Sequence, residues 1–149
     1  MRTRILAIDP GKVRLGLAIC DPDRRISSPL TTYTRKDPIR DAKFLLELVE
    51  AEEVGHLLVG LPVHLDGREG EQAKLARVFG KELEAATKLP VQFWDERYTT
   101  LQAETMLWDA GLTHKRRKER RDRVAAQILL QSFLDAGCPV GEGTLGNEG

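Results

Sequence analysis

Two short apolar runs open the chain, and a helical rhythm follows them. Arg4–Asp9, RILAID, ends on a carboxylate, and Leu15–Cys20, LGLAIC, is its neighbour in sequence. Asp21-Pro22-Asp23 marks a turn, and Ile26–Thr34 is rich in β-branched and hydroxyl residues. These runs predict three consecutive strands, most simply antiparallel. At Asp37-Pro38 the grammar changes to an N-cap followed by proline at the first helical position. Ile39, Ala42, Leu45, Leu46 and Val49 then recur at helical spacing.

Further on, His56–Leu61 is a compact apolar strand, HLLVGL. Residues 70–88 read as a helix with Leu75, Ala76, Phe79, Leu83 and Ala86 on one face. Pro90–Trp94 is a short strand, and Thr99 or Thr100 caps a helix that stops at Gly111. A last helix is expected over Asp122–Ala136, with Val124, Ala125, Ile128, Leu129 and Phe133 inward and Gly137 as its stop. The order β-β-β-α-β-α-β-α-α predicts an α/β fold, a five-stranded mixed sheet flanked by helices. A length of 149 residues suits one domain, expected over 1–137. Residues 138–149 hold four glycines and little to bury, and are expected to form a flexible tail.

Composition narrows the class. Apolar residues make up 41% and charged ones 31%, ordinary for a globular protein, and no run reaches the length of a membrane span. Asp9 interrupts the opening apolar run, which argues against a signal peptide. Cys20 and Cys138 are far apart without metal-type spacing, so a reduced, cytoplasmic location is expected. The net charge of zero conceals an asymmetry. Residues 114–123, HKRRKERRDR, hold seven Lys/Arg and two acids, an excess of +5 that the rest of the chain balances.

Candidate chemistry falls where such sheets collect ligands, beyond the carboxyl ends of parallel strands. Asp9 ends the first strand before a Pro-Gly turn; the ordinary alternative is a turn-forming Asp. Asp95-Glu96-Arg97 ends the strand PVQFW, where a helix-entry charge pair is the ordinary alternative. Strand alternation points Asp95 and Glu96 in opposite directions, so at most one joins Asp9. Asp122 is expected at the start of the last helix, and the small Ala125 and Ala126 behind it would let that helix approach the sheet closely. Three convergent carboxylates repel one another unless a cation compensates. Oxygen-only ligands favour Mg²⁺ or Mn²⁺ over Zn²⁺, and two such ions about 3.5–4 Å apart clamp a phosphodiester during displacement. With the basic segment beside them, these acids suggest a metal-dependent nuclease.

Four segments in order, ILAIDPGKVRLGLAICD, VGLPVHLDGREG, FWDERYTT and DRVAAQILLQSFLD, resemble the YqgF (RuvX) family of the ribonuclease H-like superfamily. The resemblance covers about residues 4–136 and implies a five-stranded mixed sheet with helices on its faces. It maps the family's acidic site, catalytic and metal-binding together, onto Asp9, Glu96 and Asp122. Two positions depart from the family pattern: Arg121 stands where an aliphatic residue is usual, and His64 where Asn is common. The resemblance implies nucleic-acid hydrolysis, either in 5′-end maturation of pre-16S rRNA or, as an alternative, in Holliday-junction resolution.

Lys12, Arg14 and Arg97 are candidate phosphate contacts near the acids, as are Lys115, Arg116, Arg117, Lys118, Arg120 and Arg121 in the basic run. The ordinary alternative for each is a solvated or ion-paired surface charge. The segment from Gly60 to Gly67 could approach a substrate backbone or simply join a strand to a helix, with Asp66 and Glu69 as reserve ligands. His56, His64 and His114 show no ligand spacing, and Trp94 and Trp108 read as core or partly buried. The expected partner is nucleic acid, with no membrane, and the expected state is a monomer or weak homodimer. A catalytically inactive binding module would leave the acids unexplained. A sugar-kinase-like ATPase would need two such domains.

Overall fold

A computed structural model describes residues 3–96 and 114–139, apart from the side chains of residues 114, 115 and 117. Its strands are β1 (Arg4–Pro10), β2 (Arg14–Cys20), β3 (Ser27–Thr34), β4 (Val54–Leu61) and β5 (Val91–Asp95). Its helices are α1 (Pro38–Ala51), α2 (Glu71–Thr87) and α3 (His114–Asp135). The expected helix over 99–111, with Trp108, and the tail from residue 140 lie outside the described residues.

The five strands form one sheet in the order β3-β2-β1-β4-β5. The pairs β1–β2 and β2–β3 are antiparallel, while β1–β4 and β4–β5 are parallel. The carboxyl ends of β1, β4 and β5 therefore share one edge, which is where Asp9 and Asp95-Glu96 fall.

Alternation sorts the core onto two faces. Leu6 and Ile8 of β1, Leu15, Leu17 and Ile19 of β2, and Leu57, Val59 and Leu61 of β4 pack with α1 and α2. Ile5, Ala7, Ala18, Cys20 and Leu58 pack with Ala126, Leu129, Leu130 and Phe133 of α3. On β2 the sequence LGLAIC thus sends large residues to one face and small ones to the other. The small face lets α3 lie close.

Local signals account for the helix ends. Asp37 caps α1 by accepting a 2.8 Å hydrogen bond from the Arg40 N–H, with Pro38 in the first turn. Gly137, at φ 87°, ends α3, and the Cys138 N–H turns back to the Phe133 carbonyl at 3.0 Å. Three expectations are corrected. Helix α3 begins at His114 rather than Asp122, so the basic run is part of the helix. Arg and Lys are good helix formers, which is why a run without apolar periodicity still continues the helix. Ile39, Leu46 and Leu75, read as inward positions, are 82%, 39% and 52% exposed, and Ala86 is exposed as well. The buried rows run through Asp41, Leu45 and Val49 of α1 and through Ala73, Ala76, Phe79 and Leu83 of α2, which leaves these positions off the packed face. Ile128 and Ala125 are half-buried, with Leu130 buried in their stead.

Candidate active site

Asp9 continues the Ile5–Ala7 row of β1 and so points to the α3 side. On β5, Val91 and Phe93 belong to the α1/α2 core, while Trp94 packs edge-on against Phe133 of α3, ring centroids 5.2 Å apart. Glu96, two residues past Trp94, therefore falls on the Asp9 side and Asp95 on the other. The expected choice of Glu96 over Asp95 agrees with this arrangement.

Strand β4 lies between β1 and β5, so Glu96 must cross it to reach Asp9. It crosses over Gly60: a β-carbon there would collide with the Glu96 carboxyl. The Glu96 N–H anchors the crossing by donating to the Leu61 carbonyl at 3.2 Å. The two carboxyls then hydrogen-bond to each other.

Asp122 arrives from the opposite flank. Gly16 of β2 pairs directly with Asp9, and a β-carbon at Gly16 would collide with the Asp122 carbonyl. The backbone of α3 therefore rests on β2 one strand from Asp9, a spacing of about 4.8 Å. The Asp122 side chain, in the third turn of α3 rather than at its start, accepts a 2.7 Å hydrogen bond from Nε of Arg14.

The electrostatics follow from this crowding. Burial is the largest influence on Asp9 and raises its carboxyl pKa; the hydrogen bond with Glu96 lowers it, and the charge of Asp122 raises it. Glu96 is pushed up to about 10, by burial first, then by its hydrogen bond to Asp9 and the charges of Asp9 and Asp95. Burial and mutual repulsion thus favour one proton shared between the two carboxyls.

Among the described residues no three acids are gathered tightly enough to form a ready cation cage. Asp9 and Glu96 make a pair, and the Asp122 carboxylate is engaged by Arg14. The donor chemistry nonetheless fits a hard divalent cation. All the available ligands are carboxylate oxygens, and the repulsion between Asp9 and Glu96 that one proton now relieves is the kind a cation relieves.

The basic candidates divide. Arg116, Arg120 and Arg123, with Glu119, line a cleft of about 400 Å³ on one face of α3. Lys118 and Arg121 are exposed on the same helix, and Lys12 is exposed in the β1–β2 turn. Arg97 and the side chains of Lys115 and Arg117 lie outside the described residues. The reserve ligands are committed elsewhere. Glu69 is held by Arg77 through bonds of 2.7 and 2.8 Å, and Asp66 accepts the Arg68 N–H at 2.9 Å. The segment around them is a self-bonded connection, closed by a Val63–Glu69 bridge. Gly16 and the seat at Gly60 were missed from sequence. The large-small alternation of LGLAIC was the available signal for Gly16.

The chain is similar to known proteins along most of its length. The family model described as "RuvX: Holliday junction resolvase" matches residues 3–136. A protein of Rhodopirellula baltica named "Putative pre-16S rRNA nuclease" is 42% identical over 133 residues, covering 89% of this chain and 77% of that protein. A protein of the same name from Anaeromyxobacter sp. (strain K) is 39% identical over 136 residues, covering 91% and 99%. The fold is similar to that of Thermus thermophilus RuvC in complex with a Holliday junction substrate, with a TM-score of 0.57 at 16% identity, covering 91% of this chain and 96% of that one.

Proposed function

The chain belongs to the RuvX family, and on that premise we propose that it is a divalent-metal-dependent endonuclease that acts on structured nucleic acid, with the precursor of 16S rRNA as substrate. The observation that carries the reading is the meeting of Asp9 and Glu96 over Gly60, with Asp122 brought alongside by Gly16. Asp9, Glu96 and Asp122 would hold Mg²⁺ or Mn²⁺. Such an ion, when bound, makes water a better nucleophile and stabilises the leaving oxygen.

The chain's own residues supply the rest. Strand β1 fixes the Asp9 backbone, so its carboxylate has little freedom beyond side-chain rotation. Glu96 is held by its backbone bond to Leu61 and by the crossing over Gly60. The cleft of Arg116, Arg120 and Arg123 offers guanidinium groups to a phosphate backbone, with little means of reading bases. Lys12 lies in the turn that follows Asp9, where a strand entering the site would pass.

No described helix is long and apolar enough to cross a membrane. Both cysteines are free thiols, which supports a reducing, cytoplasmic location. A monomer or weak homodimer is the state we favour. A second reading, resolution of four-way DNA junctions, draws on the description of the matching family. Side-by-side single-turnover cleavage of precursor rRNA and a synthetic junction, with Mg²⁺, Mn²⁺ or chelator, separates the two. Symmetric paired nicks in the junction with the RNA intact would reverse the choice. Full cleavage in excess chelator would remove metal dependence.

A further inference from the structure

We propose that Arg14 is a positioning residue for the metal site: its guanidinium and a divalent cation compete for the Asp122 carboxylate, so Arg14 sets how tightly the site binds metal. The proposal rests on the nuclease reading above. Three observations carry it. Arg14 Nε lies 2.7 Å from Asp122 Oδ2, with both side chains less than a third exposed. Arg14 and Gly16 lie on the same face of β2, two residues apart, and the Asp122 backbone rests on Gly16. Asp122 is therefore pinned beside both its cationic partner and Asp9, whose carboxyl feels the Asp122 charge.

The consequence is a choice between two cations for one carboxylate. Asp9 and Glu96 already hydrogen-bond to each other, so Asp122 is the remaining acid of the three, and it is occupied by a side chain. A divalent ion that takes Oδ2 of Asp122 as its ligand must displace the guanidinium that this oxygen now accepts from. The long arginine side chain can swing away while its backbone stays in the sheet. The freed guanidinium then remains within one side-chain length of the acids, where a substrate phosphate would enter. This makes metal loading and phosphate capture linked events at a single residue.

The test is Mn²⁺ binding to the full chain, read from the electron paramagnetic resonance signal of free Mn²⁺, without substrate. Arg14→Gln should bind Mn²⁺ more tightly than the wild type, by about fivefold for a pair of this exposure. Arg14→Lys, which keeps the charge, should stay near the wild type. In an Asp122→Asn background, Arg14→Gln should add nothing. A gain of equal size in both backgrounds would show a general field effect and overturn the proposal, as would unchanged or weaker binding by Arg14→Gln. The folded wild type gives a check that needs no variant. On saturation with Mg²⁺ the nuclear magnetic resonance signal of the Arg14 Nε–H should shift as its carboxylate partner is lost. A signal that stays fixed while Mg²⁺ binds would refute the exchange. A wild type that binds neither ion would overturn the metal-dependent reading together with this proposal.

Discussion

Gly16 lies directly beneath the main-chain carbonyl of Asp122, with no room between them for a β-carbon. The contact sets the depth at which α3 lies on the sheet, and so the position of the third acid. Gly16→Ala would force backbone against backbone. The expected cost is about 1–3 kcal/mol of stability, the usual range for overpacking a tight contact. Urea unfolding measures it, and cleavage should fall further than stability alone explains, because Asp122 moves away from Asp9. Unaltered stability would mean that the helix can slide, and would weaken the structural role given to Gly16.

Glu96 and Asp95 are adjacent acids on opposite sides of the sheet, and only Glu96 crosses Gly60 to Asp9. Asp9→Asn and Glu96→Gln should each reduce cleavage by more than the ~10–100-fold typical of losing an outer partner of a metal site. Both variants keep shape while removing an ionisable carboxyl, so circular dichroism should show the fold intact. Asp95→Asn should keep most activity. Equal losses at residues 95 and 96 would contradict the assignment of faces.

Gly60→Ala offers a complementary test of the same crossing. A methyl group there would push Glu96 off Asp9 without touching either carboxyl chemically. Cleavage should drop toward the level of Glu96→Gln, while the apolar core beneath, Val59 and Leu61, stays packed with α1 and α2. Near-normal cleavage would show that Glu96 can reach Asp9 by another path.

Much of this arrangement is legible in the sequence, for identifiable reasons. Asp9 and Glu96 end short apolar strands, and strand alternation alone separates Glu96 from Asp95. The caps at Asp37 and Gly137 are local, and each acts within one helical turn. The start of α3 was not legible, because helix starts are read from apolar periodicity and HKRRKERR has none. Its helical state comes from good intrinsic formers continuing an already packed helix. The seats at Gly16 and Gly60 were hidden for a different reason. Each matters through a residue about 36 or 106 positions away, and nothing near either glycine announces that partner.

The shared carboxyl pair predicts a pH response. The ordinary carboxyl of Glu96 would titrate at 4.5, and in the fold it is pushed up to about 10 by burial and by Asp9. Between those values the folded protein holds more protons than the unfolded chain. Stability of the metal-free protein should therefore fall as pH rises through this window, by at most about 1.4 kcal/mol per pH unit for one proton. Glu96→Gln cannot ionise and should flatten that decline, becoming the more stable protein at pH 9. Mg²⁺ should stabilise the wild type more at pH 9 than at pH 6, since metal and proton compete for the same oxygens. Thermal melts across pH, with and without Mg²⁺, measure both effects. A wild-type profile parallel to that of Glu96→Gln would show that the pair does not hold the proton.

The basic helix predicts a salt response of a specific size. Arg116, Arg120 and Arg123 share one face of α3 around a single cleft, at spacings of four and three residues, so one phosphate backbone could engage all three. Neutralising a phosphate releases condensed counterions, which makes affinity fall with salt in proportion to the number of contacts. Arg116→Ala together with Arg120→Ala should weaken binding of nucleic acid and reduce the slope of log affinity against log salt by about two units. Alanine favours helix, so the backbone of α3 should persist and the loss should report contacts rather than unfolding. Replacing Lys115, Arg116, Arg117 and Lys118 together extends the test to the end of the helix. Because these residues are not among the acids that would hold the ion, weaker binding should be accompanied by nearly unchanged cleavage at saturating enzyme. An unchanged salt slope would make the run a solvated helical face, and the search for the phosphate-binding surface would move to Lys12 and the β1–β2 turn.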